Sequence, residues 1–249
     1  MAGISAYLLL KKSGVEAAKK TLKISILVGL IASVMAVFPT GHEHAKQVAR
    51  TQPEKFATLE GLYESQSGAP LVFFGLVESE PLRKLNAEIG IPGLLSWMTY
   101  GDFDAKVHGL DAFPEDEIPP LWLPFVSFHN MVILGMFFIS AMGIGVILLY
   151  RKKINDTKWY LRILIYSAPL PLLACQFGWI AAEVGRQPWA VYKILKTVDA
   201  VSITVTAGEI LFSIILFGVI YGFLGVLYLY LLFREVKHGP DTTVGEVIS

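Results

Sequence analysis

The sequence predicts an all-α membrane protein: a transmembrane helix bundle of about four full spans plus one truncated helix, with a long extracytoplasmic loop. Three observations predict it. Hydrophobic residues fill 54% of the 249 positions, and the mean hydropathy is +0.55, too apolar for an ordinary soluble domain. Apolar stretches recur at lengths near the roughly 20 residues that a span requires. Lysine and arginine gather on alternate connections, the pattern of cytoplasmic loops.

The first element is an apolar run, Met1 to Leu10, closed by Lys11-Lys12. It is too short to cross a bilayer and apolar all round. The run either lies at the interface or is the cytoplasmic end of a helix whose upstream half is missing from the sequence, and its lack of an amphipathic face favours the second. It lacks the basic flank and small-residue site of a cleavable signal peptide. Ile24 to Pro39 is the first full span, and its Gly29, Ala32 and Ser33 suit close helix packing. Leu123 to Tyr150 is the second, ending at Arg151-Lys152-Lys153. Tyr160 to Ala182 is the third, with Pro169 and Pro171 placed to kink it. Ala207 to Phe233 is the fourth. Three regions are divided accordingly: 1–39, the truncated helix and the first full span; 40–120, the outer loop; 121–249, the three-helix segment.

Lys11, Lys12, Lys19, Lys20 and Lys23 mark one cytoplasmic region. Arg151, Lys152, Lys153 and Lys158 mark the next, and Arg234 and Lys237 the last. Residues from about Thr40 to Pro120, and from about Gly185 to Thr206, then face outward. The longer of these is too extended for an ordinary connection. Its Leu71, Phe73, Phe74, Leu94, Leu95, Trp97, Tyr100 and Phe103 predict a folded loop. Glu43 to Tyr63 reads as one helix of mixed charge.

Lys+Arg and Asp+Glu balance at 21 each, so no basic face points to nucleic acid. Cys175 is the one cysteine, which excludes disulfides and thiolate clusters within the chain. It reads as a small buried apolar residue.

Charge at the lipid boundary is costly, so ionisable residues there are functional candidates. Glu183 and Arg186 stand three residues apart, with Trp179 one turn before the acid, all on one helix face. Two readings are open: an interfacial ion pair, or a carboxylate ligand to a haem iron with a guanidinium for a propionate. His42 and His44 are either solvated loop residues or half of a metal site. Lys55 and Glu60 form either a surface charge pair or hydrogen-bonding groups for a polar-headed lipid substrate. Met131 is core filler or an axial haem ligand, and His129 points to another face. Glu209 is a proton relay or a favourable charge at a helix N-terminus.

The runs Phe177-Gly178-Trp179, Glu183 and Gly185-Arg186-Gln187-Pro188-Trp189 resemble the signature of subunit I of the cytochrome bd-type quinol oxidases. Gln52-Pro53-Glu54-Lys55 with Glu60-Gly61 resembles the start of that family's quinol-binding loop. Gly3-Ile4-Ser5-Ala6-Tyr7 is similar to the end of its fifth helix, and Thr206-Ala207-Gly208-Glu209 to the start of its ninth. The resemblance covers nearly the whole chain, as the C-terminal half of the subunit.

It implies Met131 as an axial ligand of the low-spin haem b iron and Glu183 as the ligand of the high-spin haem b iron. Trp179, Arg186 and Trp189 would line the haem site, with Glu183 and Arg186 catalytic. Lys55 and Glu60 would bind quinol in the loop 40–120. Electrons would pass from quinol through the two haems b to haem d, or a third haem b, where dioxygen becomes water and the membrane is charged. The implied partners are subunit II, a separate N-terminal half of subunit I, quinol, dioxygen and the lipid bilayer of a prokaryotic cell membrane. Two departures stand out: His129 replaces an arginine, and the helices bearing the family's haem-ligating histidines are absent. The competing reading is a non-catalytic quinone-binding or assembly module. A transporter lacks the support of an inverted repeat.

Overall fold

The computed structural model describes residues 1–77, 85–202 and 204–238. They are mainly helical, with helices α1 (Ala2–Lys11), α2 (Val15–Met35), α3 (His42–Thr51), α4 (Pro53–Glu60), α5 (Leu94–Tyr100), α6 (Trp122–Tyr150), α7 (Lys158–Tyr166), α8 (Leu170–Val184) and α9 (Ala207–His238). Three helical stretches are long and apolar enough to span, or four when α7 and α8 count as one broken span. The helical spans read from the sequence thus stand, with the break between α7 and α8 falling at the expected prolines.

Two compact units divide the chain: residues 1–27, 145–168 and from 201 on, and residues 28–144 and 169–200. In the first, α1 lies against α7 so closely that a Cβ on Gly3 would come within 2.8 Å of the Leu164 carbonyl. Leu22, Ile26, Tyr160, Leu161 and Leu164 are the largest of its fully buried apolar residues. No residue of α9 is buried, which suits a surface that lipid or further protein covers. Glu209 has a structural task there: it accepts from the Thr206 N–H at 2.9 Å and closes a capping box on α9.

The second unit contains the loop and the predicted site residues. Helix α2 approaches α6 through Gly29, where a Cβ would lie 3.1 Å from Met142 Sδ, the close contact expected of small residues. After Met35 the helix widens into a π turn, Ala36–Gly41, around Pro39. Proline has no N–H for the Met35 carbonyl, and the Thr40 hydroxyl donates to it instead at 2.7 Å.

The loop is folded, but not around the residues singled out in the sequence: Phe73, Phe74, Trp97, Tyr100 and Phe103 are exposed, and of that set Leu95 joins the core with Leu71 packed against it. Ala49, Phe56, Leu62, Ala69, Leu95 and Val107 form its core. Ser96 Oγ accepts from the Ala69 N–H and donates to the Ala105 carbonyl, each at 2.8 Å. The single helix expected over Glu43 to Tyr63 is two helices. Pro53 forces Gln52 out of helical geometry (φ −142°, ψ 66°) and then opens α4 from a position where proline is favoured. Gly61, with φ 67°, ends it.

Three short antiparallel pairs, absent from the sequence reading, complete the unit: β1 (Gln66–Ser67) with β4 (Lys106–Val107), β2 (Leu71–Val77) with β3 (Leu85–Ile91), and β5 (Trp189–Val191) with β6 (Leu195–Lys196). Cys175 is exposed, against the expectation of burial.

Candidate functional site

Helix α8 and the hairpin β5–β6 after it form the frame of the site. Trp179 is 63% exposed, and the Glu183 carboxylate takes a hydrogen bond from the Arg186 guanidinium. Both side chains are partly exposed, at 42% and 43%. The pair expected from sequence is therefore formed on an open face of the described chain. Trp189 is instead buried, and its Nε1–H has no hydrogen-bond partner among the described residues.

Met131 reaches α8 one residue before Trp179. A Cβ on Gly178 would lie 2.8 Å from Met131 Sδ, so only glycine leaves the thioether its place. His129 indeed points elsewhere: Nδ1 faces the Phe125 carbonyl and Nε2 the Val72 carbonyl, each at 2.9 Å.

The loop residues are not a surface pair. Lys55 leaves α4 for the end of α8 and donates to the Ala182 carbonyl at 2.9 Å. That carbonyl is among those a helix leaves unpaired at its C-terminus, where a cation is favoured. Burial lowers the Lys55 pKa first, the nearby Arg186 guanidinium adds to this, and Glu183 opposes it. Lys55 thus joins the α8 cluster. Glu60 turns inward: it is 6% exposed, its Oε2 has no hydrogen-bond partner among the described residues, and burial pushes its pKa up to about 8.

A second polar group was not read from the sequence as one. Glu54 accepts from the Tyr192 hydroxyl at 2.7 Å and pairs with Lys193 at 2.9 Å. Lys193 also binds Glu117, and Lys196 binds Asp116 at 2.6 Å. Positions 54 and 192 lie 138 residues apart, and no spacing rule links them. Glu54, Glu117 and Tyr192 edge a cleft of about 10 Å³ beside Lys55 and Arg186, room for about one water.

The donor set suits haem. A thioether and a carboxylate are both haem-iron ligands, and a guanidinium pairs with propionates. Haem asks for one or two axial side chains, not a cluster. Among the described residues no group of three or more His, Cys, Asp or Glu is placed to hold a metal ion, and His42 and His44 belong to no such group.

Residues 1–240 match the family Cytochrome bd terminal oxidase subunit I. The chain belongs to this family, whose members carry haem and work in membrane-bound oxidoreductase complexes with a second subunit. It is 40% identical over 97% of its length to cytochrome bd ubiquinol oxidase subunit 1 of Bacillus subtilis (strain 168), covering 53% of that protein. It is 36% identical to the putative cytochrome bd menaquinol oxidase subunit I of the same strain, over 97% of this chain and 54% of that protein. Among solved structures, the bd oxidase of Geobacillus thermodenitrificans superposes with a TM-score of 0.83 at 30% identity, over 96% of this chain and 54% of that one. The chain thus spans about half the length of the curated relatives it matches, and it is a multi-pass protein of a prokaryotic membrane.

Proposed function

We propose that this chain supplies the quinol-binding loop and part of the haem sites of a bd-type terminal oxidase, an electrogenic quinol:oxygen oxidoreductase that reduces dioxygen to water and builds a proton motive force. It works only within a complex, with subunit II and with the part of subunit I that the relatives possess and this chain does not cover. The observation that carries the reading is Lys55. This residue of the loop is anchored on the Ala182 carbonyl at 2.9 Å, next to Glu183, so the candidate substrate residue and the candidate haem ligand share one helix end.

Met131 would hold the low-spin haem b and Glu183 the high-spin haem b, with Trp179, Arg186 and Trp189 around them. When bound, the haems, including a haem d or third haem b, supply the one-electron chemistry that links quinol to dioxygen. Arg186 keeps the Glu183 carboxylate oriented through their ion pair. The buried Trp189 Nε1–H is a donor with no protein acceptor among the described residues, suited to an acceptor on a bound group. Lys55 donates to an oxygen of the quinol head. Glu60, with a pKa raised to about 8, takes a quinol proton at a carboxylate poised near neutral pH. The loop 40–120 lies on the extracytoplasmic side, where those protons are released.

The test is the reduced-minus-oxidised spectrum of the assembled oxidase with Met131→Ala and with Glu183→Ala. The first is expected to lose the low-spin signal and the second the high-spin signal. Unchanged spectra in both would sink the ligand assignments, and haem-free wild-type membranes would favour the non-catalytic module.

A further inference from the structure

The hairpin β5–β6 gathers three distant segments through contacts that the ligand assignments do not use. Its turn carries Tyr192 and Lys193, and both reach Glu54, at 2.7 and 2.9 Å. Glu54 belongs to the first turn of α4 and is the neighbour of Lys55. Lys193 also binds Glu117, and Lys196 binds Asp116, in the stretch that closes the loop ahead of α6. The hairpin itself follows Glu183 and Arg186 in the chain. The start of α4, the end of the loop and the end of α8 therefore meet at one point.

These contacts differ in strength. The Asp116 side chain is 69% exposed, and an ion pair in such a place contributes little. The Glu54 side chain is only 4% exposed, so losing a partner there leaves a buried carboxylate short of compensation. Each of its oxygens has a donor, one from Tyr192 and one from Lys193. Burial, helped by the Glu54 carboxylate, pushes Tyr192 up to about 12, so its hydroxyl stays a donor at any working pH. Lys193 faces two carboxylates from opposite ends of the loop. Its charge is fully matched only when both ends are docked, which couples them.

We propose that Glu54, Tyr192 and Lys193 form a clasp that fixes α4 to the hairpin and thereby holds the Lys55 ammonium at the C-terminus of α8. They are positioning residues, acting through Lys55, and the proposal rests on reading Lys55 as a quinol residue. A misplaced ammonium weakens binding of the quinol head without touching haem ligation. The signature is thus a raised quinol KM with kcat and haem content preserved.

The test uses membranes containing the complete oxidase. Lys193→Met is expected to raise the quinol KM about tenfold, since small displacements of positioning groups are costly. kcat and the reduced-minus-oxidised spectrum stay unchanged. Lys193→Arg, which keeps the charge, restores most of the affinity. Tyr192→Phe deletes one hydroxyl and is expected to raise KM about threefold. Should Lys193→Met fail to assemble, Tyr192→Phe decides: a raised KM with a normal spectrum supports the clasp. Normal KM values in the assembled variants overturn it, as does a fall in kcat alone. The underlying reading is tested separately by Lys55→Ala, whose quinol KM must rise. If it does not, the quinol role of Lys55 fails, and the clasp is judged by limited proteolysis of the loop. Faster cleavage in Lys193→Met then supports it, and an unchanged rate overturns it.

Discussion

Glu60 allows the proposed proton step to be tested by two effects of opposite sign. Its carboxyl is buried, and burial alone raises its pKa from 4.5 to about 8. In an unfolded loop the same group returns to 4.5. Below that pH both forms are protonated, and well above about 8 both are ionised. Between the two values the folded loop keeps a proton that the unfolded one has lost, so loop stability falls as pH rises through the window. The interval from 4.5 to about 8, at 1.36 kcal/mol per pH unit, makes the full cost about 5 kcal/mol. Catalysis runs the other way. A proton acceptor must be ionised, so kcat/KM for quinol should climb with pH and level off above about 8.

Glu60→Gln abolishes both effects, because a neutral amide of similar shape neither ionises nor accepts the proton. In membranes with the complete oxidase, quinol kcat/KM is measured from about pH 6 to about pH 9, with limited proteolysis of loop 40–120 at each pH. The wild type is expected to become faster and its loop more readily cleaved. The Gln variant should be slow, with both profiles flat. If Glu60→Gln keeps the wild-type rise in kcat/KM, Glu60 is not the acceptor. If the wild-type cleavage rate does not change with pH, its burial does not couple to loop folding.

Two further outcomes follow from packing and capping. Gly178→Ala would place a methyl 2.8 Å from Met131 Sδ, so the thioether must move and the low-spin haem signal should weaken. Gly143→Ala, with open space around the added carbon, should leave the spectrum unchanged. Thr206→Ala breaks the capping box of α9 and should cost about 0.5–2 kcal/mol, read as a lower melting temperature of the complex with normal haem spectra.

The spans were legible because lipid imposes a long apolar run, which α2, α6 and α9 supply as single helices and α7 with α8 as a broken pair. The break at Pro169 was legible for the same local reason, since a proline removes a backbone donor whatever its neighbours are. The loop was less so. Gln52 reads as a continuous helix until Pro53 is given its full effect on the preceding residue. Pairs such as β1 with β4, two residues each, are too short to show a period. The Glu183–Arg186 pair was visible because i,i+3 spacing puts it on one face. Glu54 with Tyr192 was not, because only tertiary folding brings them together.

Helix α4 shows why that hidden contact matters. It bears two buried carboxylates six positions apart, Glu54 and Glu60, at 3% and 6% exposure. Composition treats them alike, and surroundings separate them. Glu54 meets an ammonium and a phenol hydroxyl, so its charge is answered by protein and it serves as an anchor. Glu60 has an oxygen with no donor among the described residues, and burial holds its proton up to about pH 8. A group so placed gains most when a ligand arrives with something to exchange. Divergent environments for paired carboxylates are the usual way one site divides structural from proton-transfer work. Here the division falls on one short helix, with Lys55 between the two acids and reaching the end of α8. In the proposed function, anchor, substrate donor and proton acceptor would thus be carried by one short helix, and moving it would move all three together.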